Sequence, residues 1–538
     1  MITQSVGVVY FYLIAFFMPI DSYILVCTKG ASSDLGKKYR CPGKLHSLLV
    51  FCKDGSVPFL TLIPTIHPHN LKAMSHSRRE FLVSVSMLAA GTMLTAPAAG
   101  FGLQDEKLKV ALVGTGIRGT SFWGRRLVEQ YPDILEFVGL CDINPGRLAY
   151  AKEYMRVSCP SFTNFEEMVS QAKPDLVIVT TKDSTHHEYI IKGLQMGCDV
   201  LTEKPLTTDE RKCQAILDAE RRSNKNLIVG FNYRWSPYST KLKELLAQEA
   251  VGKITSVDFH WYLNIYHGAS YFRRWHGERA SSGSLWVHKA THHFDLLNWW
   301  LDSDPSEVFA YGALEHYGSN GPFWGDKCRT CEYKNECKFY WDITEDERAM
   351  RLYVDNEEHD GYIRDNCLFR DEVNIYDKMS AQIKYANDVI VNYSLTTYSP
   401  YEGWKIAFNG LDGRIDAWLD IPFMKAENLS QSELHATEMN QQGEDEAQYE
   451  PMIVHQNWGN YKTVNVPVER GGHGGGDGRL HDKIFKNPEA PDPYKHAAGV
   501  RDGAMSILIG IAARNSIESG EPVRISTLTD LEPRAKRL

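Results

Sequence analysis

The most constraining feature of this sequence is a glycine-rich turn that directly follows a short apolar run. Residues 109–113 (KVALV) predict a buried parallel strand. The next six residues fit G-x-G-x-x-G, and the stretch after them through Val128 predicts a helix. Glycines here permit a tight turn and let backbone amides approach a pyrophosphate at the helix N-terminus. The pattern predicts a dinucleotide site containing Gly114, Thr115, Gly116, Ile117, Arg118 and Gly119.

An acidic residue follows the second predicted strand, residues 137–140. Asp142 lies 23 residues after Gly119, where a dinucleotide site of this type carries an acid. Its carboxylate can accept hydrogen bonds from the adenosine ribose and repel a 2′-phosphate, which favours NAD over NADP. Arg147 is close enough in sequence to weaken that preference.

Strand and helix patterns continue to alternate up to residue 230. Strands are predicted over 175–180, 199–202 and 226–230, with helical stretches between them. This order predicts a parallel sheet with helices on both faces, and we assign an NAD-binding Rossmann domain to residues 105–230. Ligands of such sheets bind beyond the carboxyl ends of the strands.

Composition and charge exclude several classes of protein. The 538 residues include 59 Lys+Arg and 68 Asp+Glu, a formal net charge of −9, and 43% are hydrophobic. These values exclude a wholly disordered or coiled-coil chain. The net acidity argues against a general affinity for nucleic acid. We therefore expect no nucleic-acid partner.

The first hundred residues differ from the rest of the chain. The uninterrupted apolar run from Val6 to Met18 is shorter than the roughly 20 residues that a membrane-spanning helix needs, and residues 28–73 lack clear periodicity. We interpret them as a doubtful N-terminal extension. Residues 74–98 hold SRREFL at 77–82, an apolar stretch and APA at 96–98, the order of a twin-arginine signal peptide. The pattern predicts recognition by the twin-arginine machinery and export, folded and loaded with cofactor, to the periplasm.

Several ordered motifs resemble the Gfo/Idh/MocA oxidoreductases, the family of glucose–fructose oxidoreductase and inositol dehydrogenase. They are Glu203-Lys204-Pro205, residues 180–186, residues 230–234, the block 283–295, and residues 471–477 and 498–503. The resemblance implies an α/β fold, with the Rossmann domain followed over residues 231–525 by an α/β domain with a large, mostly antiparallel sheet. An exposed face of that sheet would suit a homo-oligomer.

The family resemblance also implies NAD(P)-linked oxidation or reduction of a CH–OH carbon in a carbohydrate substrate: a sugar, glycoside or polyol. One branch of the family instead oxidises a sugar transiently, eliminates a glycosidic substituent and reduces the product, for a net hydrolysis. An exported NAD-dependent oxidoreductase and an NAD-dependent glycosidase are therefore both kept as hypotheses. A carbohydrate-binding protein with a vestigial cofactor is a third, against which the retained Lys204 and His292 argue.

The same resemblance implies roles for individual residues. Lys204 matches the catalytic lysine, and burial near a nicotinamide would lower its pKa. His292 matches the active-site histidine, an acid or base. His288 stands where relatives commonly carry Asp or Glu, so either a base or a pocket-shaping role is open for it. The residues implied to lie beside the cofactor are Thr181, His186, Glu203, Lys204 and Asn232.

Three further residues are candidate substrate contacts. Arg274 and Trp275 suit the hydroxyls and the apolar faces of sugar rings, although a core or surface role is nearly as well supported. His473 lies in a glycine-rich loop, where side chains can approach a ligand. Asp295 shares a helix face with His292, and we expect it to support that ring or to cap buried backbone groups.

A cysteine-containing insertion is assigned to residues 315–370. Cys328, Cys331, Cys337 and Cys367 have spacings that suit structural zinc or an iron–sulfur cluster. In an oxidising compartment two disulfides compete with metal, and four free thiols are the third alternative. A structural clip is favoured over a redox role.

Overall fold

The apolar run at residues 109–113 becomes the centre of a parallel sheet. The computed structural model describes residues 106–420, 449–469 and 472–537, so the predicted extension and signal peptide lie outside the described residues. The strands of the first sheet are β1 Leu108–Val113, β2 Leu135–Cys141, β3 Ser161–Phe162, β4 Leu176–Val179, β5 Asp199–Thr202 and β6 Leu227–Val229. They are all parallel, in the order β3-β2-β1-β4-β5-β6.

The strand order creates a crevice at one edge of this sheet. Strands β2 and β3 lie to one side of β1, and β4, β5 and β6 lie to the other. Every residue of β4 is buried, as expected for a strand covered by helices on both faces. The order reverses between β1 and β4, which places the ligand crevice beyond their carboxyl ends.

Helices cover both faces of the parallel sheet. They are α1 Ile117–Thr120, α2 Arg126–Gln130, α3 Pro145–Met155, α4 Phe165–Ala172, α5 His186–Gln195 and α6 Glu210–Arg222. A π-helical segment, Ser121–Arg125, joins α1 to α2, so the predicted helix after the glycines is present but irregular. Asn144 caps α3 by accepting a hydrogen bond from the backbone N–H of Arg147.

The second sheet is large and mostly antiparallel. Its strands are β7 Ile254–Asn264, β8 Pro305–Ala313, β9 Lys378–Tyr385, β10 Ile390–Ser399, β11 Gly403–Gly410, β12 Gly413–Leu419, β13 Tyr449–Gln456, β14 Tyr461–Pro467 and β15 Val523–Arg524. Their order is β14-β13-β12-β11-β7-β10-β9-β8-β15, and β7 with β10 is the parallel pair. This arrangement confirms the predicted α/β fold class.

Further helices follow in the C-terminal region. They are α7 Pro237–Ala247, α8 Ile265–Arg273, α9 Arg279–Ser282, α10 Leu285–His288, α11 Ala290–Leu301, α12 Glu347–Leu352, α13 Glu357–Asp360, α14 Gly476–His481 and α15 Val500–Ser519. Strict alternation of exposed and buried residues along β9 shows that one sheet face is covered and the other is open. All twelve residues of α11 are buried, so this helix lies in the core.

The predicted insertion lies between β8 and β9. It contains the short helices α12 and α13, and both α12 and the 3₁₀ segment Val354–Asn356 pack against α3 of the Rossmann domain. Within the described residues, no helix is both long enough and apolar enough to cross a membrane.

Candidate active site

The glycine turn adopts the conformation that a dinucleotide requires. Gly114 has a φ of +91°, and a Cβ there would lie 2.6 Å from the carbonyl carbon of Thr180. A Cβ on Gly119 would clash with the carbonyl oxygen of Gly114. At Gly116 an added Cβ would meet only the Tyr353 hydroxyl, at 3.6 Å, an ordinary van der Waals distance. The turn therefore fits the predicted cofactor.

Asp142 holds the glycine turn from the end of β2. Its Oδ2 accepts hydrogen bonds from the Thr115 N–H at 2.7 Å and the Thr115 hydroxyl at 3.0 Å. Its Oδ1 accepts from Arg147 Nη2 at 3.1 Å. Arg147 also pairs with Asp360 of the insertion. Arg147, whose effect on the choice between NAD and NADP the sequence left open, is thus shared between the carboxylates of Asp142 and Asp360.

Glu203 connects the glycine turn to the loop after β5. Its Oε1 accepts hydrogen bonds from Arg118 Nε at 2.5 Å and Trp123 Nε1 at 2.7 Å, and its Oε2 accepts from the Lys204 N–H at 3.2 Å. The Lys204 ammonium then extends to the carbonyl oxygen of His288, 3.1 Å away. Burial lowers the pKa of Lys204 below its usual 10.5, against the opposing effect of Asp183.

Asp183 and His288 form a buried pair across the two domains. His288 Nδ1 lies 2.6 Å from Asp183 Oδ2, and the two residues are 8% and 3% exposed. Burial, followed by the charge of Lys204, lowers the pKa of His288 well below 6.5. A neutral imidazole then donates its Nδ1 proton to the carboxylate. Burial raises the pKa of Asp183. Sequence analysis missed Asp183, because nothing local marks a loop aspartate 105 residues from its partner.

His292 lies in an aromatic setting beside this pair. Its ring stacks on Tyr233 with centroids 4.2 Å apart, and Nδ1 has no hydrogen-bond partner among the described residues. The Tyr233 hydroxyl accepts a hydrogen bond from Lys289 Nζ at 3.2 Å. Burial, then the charge of Lys204, lowers the pKa of His292 well below 6.5. Tyr233 and Lys289 were not predicted from the sequence, although both adjoin predicted residues.

Thr181 and His186 shape the loop after β4. The Thr181 hydroxyl accepts a hydrogen bond from Thr185 Oγ1 at 3.0 Å. Both ring nitrogens of His186 face backbone carbonyl oxygens, Nδ1 that of Pro205 at 2.8 Å and Nε2 that of Thr181 at 3.1 Å. The structure thus places His186 as a support of the cofactor loops, with its ring nitrogens directed at the protein.

Asn232 and His473 lie together although 241 residues separate them. Asn232 Nδ2 is 2.9 Å from His473 Nδ1 and donates to Asp477 Oδ1 at 2.7 Å. Asn232 Oδ1 is buried without a partner among the described residues. The His473 ring also lies against Tyr233, with centroids 5.0 Å apart. Asn232, a predicted cofactor residue, and His473, a predicted substrate residue, therefore lie beside the stacked rings of Tyr233 and His292.

Arg274 and Trp275 border the Asp183–His288 pair. Trp275 stacks on His276 with centroids 3.6 Å apart, and its ring centroid is 5.8 Å from that of His288. Arg274 Nε donates to the Ser270 carbonyl oxygen at 2.9 Å. Two of the three predicted substrate residues therefore lie near His288.

Asp295 does not support His292, contrary to the expectation from its helical spacing. Its carboxylate receives two hydrogen bonds from Arg234, from Nε at 2.7 Å and Nη2 at 2.5 Å. Arg234 also pairs with Asp502 at 2.7 Å. The i,i+3 spacing puts the two residues on one face of α11, but a buried guanidinium is the stronger partner for a buried carboxylate.

The four insertion cysteines converge on one small cavity. Cys328, Cys331, Cys337 and Cys367 all line it. None of them forms a disulfide. Among the described residues, no group of three or more His, Cys, Asp or Glu is arranged to hold a metal ion. The predicted convergence is present, and the predicted metal geometry is not.

These features define the class of protein: a two-domain oxidoreductase with a nicotinamide dinucleotide site at its domain boundary. The chain matches the family model "Oxidoreductase family, NAD-binding Rossmann fold" over residues 108–231 and the model "Oxidoreductase family, C-terminal alpha/beta domain" over residues 243–525. The chain therefore belongs to the Gfo/Idh/MocA oxidoreductase family, as the resemblance implied.

Individual relatives agree with this assignment. The chain is 35% identical to "Putative oxidoreductase YteT" of Bacillus subtilis over 79% of this chain and 99% of that one. It is 22% identical to an inositol 2-dehydrogenase/D-chiro-inositol 3-dehydrogenase of Lactiplantibacillus plantarum, over 38% of this chain and 56% of that enzyme. A levoglucosan dehydrogenase solved with NADH and levoglucosan shares the fold, with a TM-score of 0.53, 17% identity and coverage of 78% and 100%.

Proposed function

We propose that this protein transfers hydride between NAD and a hydroxyl-bearing carbon of a sugar, glycoside or polyol. One observation carries the proposal: Lys204 and the Asp183–His288 pair meet at the carboxyl edge of the parallel sheet, beside the glycine turn. The names of the inositol and levoglucosan dehydrogenase relatives support a polyol or sugar substrate.

The residues of this chain supply the proton chemistry. Bound NAD provides the hydride acceptor or donor. Neutral His288, oriented through Nδ1 by Asp183, takes the proton of the substrate hydroxyl, as a carboxylate-paired imidazole does in other enzymes. The Lys204 ammonium donates a hydrogen bond to the developing alkoxide. Tyr233 and His292 form the aromatic wall of the site, and the unpartnered His292 Nδ1 lies at this wall.

The cofactor and the substrate class can be tested together. Purified protein is denatured to release its nucleotide, and the protein is then assayed with NAD and a panel of polyols, sugars and glycosides at the reduced-nicotinamide absorbance band. We expect the released nucleotide to be NAD. We also expect turnover with at least one polyhydroxylated substrate, and we expect Lys204→Ala to lose that turnover. Unchanged turnover in Lys204→Ala would refute the assigned chemistry.

The alternative is an NAD-dependent glycosidase, in which oxidation, elimination and reduction occur within one turnover. The insertion favours it, because Tyr353 reaches the glycine turn and Asp360 reaches Arg147, contacts that would slow cofactor exchange. Release of an aglycone from a nitrophenyl glycoside without net NADH would support this alternative. Net NADH formation with no aglycone release would exclude it.

Export is a separate proposal, since the predicted signal lies outside the described residues. It is supported by the order of features in residues 74–98. These residues fused to a folded reporter should deliver it to the periplasm, and replacing Arg78 and Arg79 together by Lys should abolish delivery. Delivery that persists in the double variant would refute twin-arginine recognition.

Self-association and metal binding are also proposals. The open face of the nine-stranded sheet supports a homo-oligomer, which sedimentation of the purified protein would test against a monomer. A structural zinc or iron–sulfur group is supported by the shared cysteine cavity and by Arg273, a buried guanidinium 2.5 Å from Cys328 Sγ that would balance thiolate charge. Elemental analysis showing no metal, with all four thiols titratable, would refute it.

A further inference from the structure

The insertion packs against the glycine turn and the start of α3. We call residues 347–360, from α12 to α13, the covering arm. The Tyr353 hydroxyl accepts a hydrogen bond from the backbone N–H of Ile117 at 3.0 Å. Asn144 Nδ2 donates to the backbone carbonyl of Asn356 at 2.9 Å. A Cβ on Gly146 would collide with the Asn356 side chain, so the arm and α3 are in close contact.

The covering arm also places the carboxylate of Asp360 beside Arg147, which could otherwise bind the 2′-phosphate of NADP. Arg147 Nη2 donates to Asp142 at 3.1 Å and pairs with Asp360, and the three side chains are 10%, 8% and 11% exposed. Although burial opposes the shift, the hydrogen bond from Arg147 lowers the pKa of Asp360 and keeps it anionic. Two carboxylates and one guanidinium give this corner a net charge of about −1 at neutral pH.

We propose that Asp360 is a cofactor-selectivity residue that excludes NADP by neutralising Arg147 from outside the Rossmann domain. An arginine near the ribose-binding acid is the usual partner of a 2′-phosphate. With Asp360 in place, that guanidinium is already paired twice, and a phosphate would enter a corner of net negative charge. This inference rests on the NAD dependence in the proposed function, and it assigns a role in binding to a segment beyond the nucleotide-binding domain.

The test compares binding of the two dinucleotides to cofactor-stripped protein by calorimetry at fixed ionic strength. Asp360→Asn keeps the size of the side chain and removes its charge. We expect NADP affinity to rise about tenfold, with NAD affinity changed by no more than about threefold. The matched control is Asp355→Asn, because Asp355 lies on the same arm but is exposed. Adding Arg147→Gln to Asp360→Asn should cancel the gain for NADP.

Each outcome bears on the proposal in a defined way. An unchanged ratio of NADP to NAD affinity in Asp360→Asn, or an equal shift in Asp355→Asn, would overturn it. If the wild-type protein binds neither dinucleotide, the proposed function is refuted as well. If it binds NAD but the variants show either of those two results, only the role of Asp360 is refuted. Thermal unfolding monitors folding of each variant, and Asp360→Ser is the second substitution if Asp360→Asn does not fold.

Discussion

The Asp183–His288 pair allows a sharp separation of catalysis from stability. The perturbation is Asp183→Asn, which preserves shape and removes the charge that would stabilise a protonated His288. Loss of an oriented general base typically lowers the rate by about 10²–10⁴-fold, equivalent to about 2.7–5.4 kcal/mol of activation free energy. We expect a fall in kcat within this range and little change in the Kd for NAD.

The expected change in stability is small, because two effects oppose each other. Burial raises the pKa of Asp183 above 3.8. A raised pKa in the folded state means that folding favours the protonated form, so this group's contribution to the free energy of unfolding falls as the pH rises above the unfolded pKa. Asp183→Asn removes that penalty, but it also removes the charge that stabilises the buried Lys204 ammonium, so the two effects oppose each other. The variant should therefore lose activity with little change in stability.

The assay pairs steady-state kinetics with chemical denaturation. Asp218→Asn is the matched control, because Asp218 lies on the solvent-facing side of α6, 41% exposed, and its loss should leave kcat unchanged. If Asp183→Asn kept kcat within about threefold of the wild type, His288 would not depend on Asp183. If activity and stability fell together, the loss would reflect unfolding, and the assignment of an orienting carboxylate would be refuted.

Three further predictions address the remaining parts of the site. Because burial lowers the pKa of Lys204 and its ammonium form is the donor, turnover should fall as the pH rises through that lowered pKa, and residual activity of Lys204→Arg should lack this alkaline limb. Gly114→Ala should abolish NAD binding measured by calorimetry. The control is Gly197→Ala, because Gly197 has a similar φ of +84° but an added Cβ there would have no atom within 4 Å. That variant should lose about 1 kcal/mol of stability and keep NAD binding. Arg234→Met should lower the free energy of unfolding in denaturant by about 3–5 kcal/mol, because it leaves the buried Asp295 carboxylate without its cation and leaves Asp502 with Arg537 alone; a loss below 1 kcal/mol would contradict this.

The parts of the site that could be predicted from sequence share a local origin. The glycine turn, Asp142 and Glu203-Lys204 each follow a strand directly, so strand prediction alone places them at one edge of the sheet. Asp295 shows the limit of such reasoning, because helical spacing gives the face but does not choose among partners on neighbouring elements. Asp183 shows the other limit, since its role exists only once the two domains meet.

The insertion contains both the four cysteines and the covering arm, which the sequence presents as unrelated. Cys328 and Cys367 lie on either side of the covering arm in the chain. Backbone hydrogen bonds from Cys328 to Asp365 and from Cys367 to Asp326 pair the two segments that lead into and out of it. The covering arm lies between these ends and reaches Ile117, 236 residues from Tyr353 in the chain. This backbone pairing closes the base of the loop and so reduces the conformational entropy lost when the arm settles on the nucleotide crevice. The paired base and the selectivity role proposed for Asp360 are therefore two parts of one device, and loosening the base should weaken the discrimination against NADP.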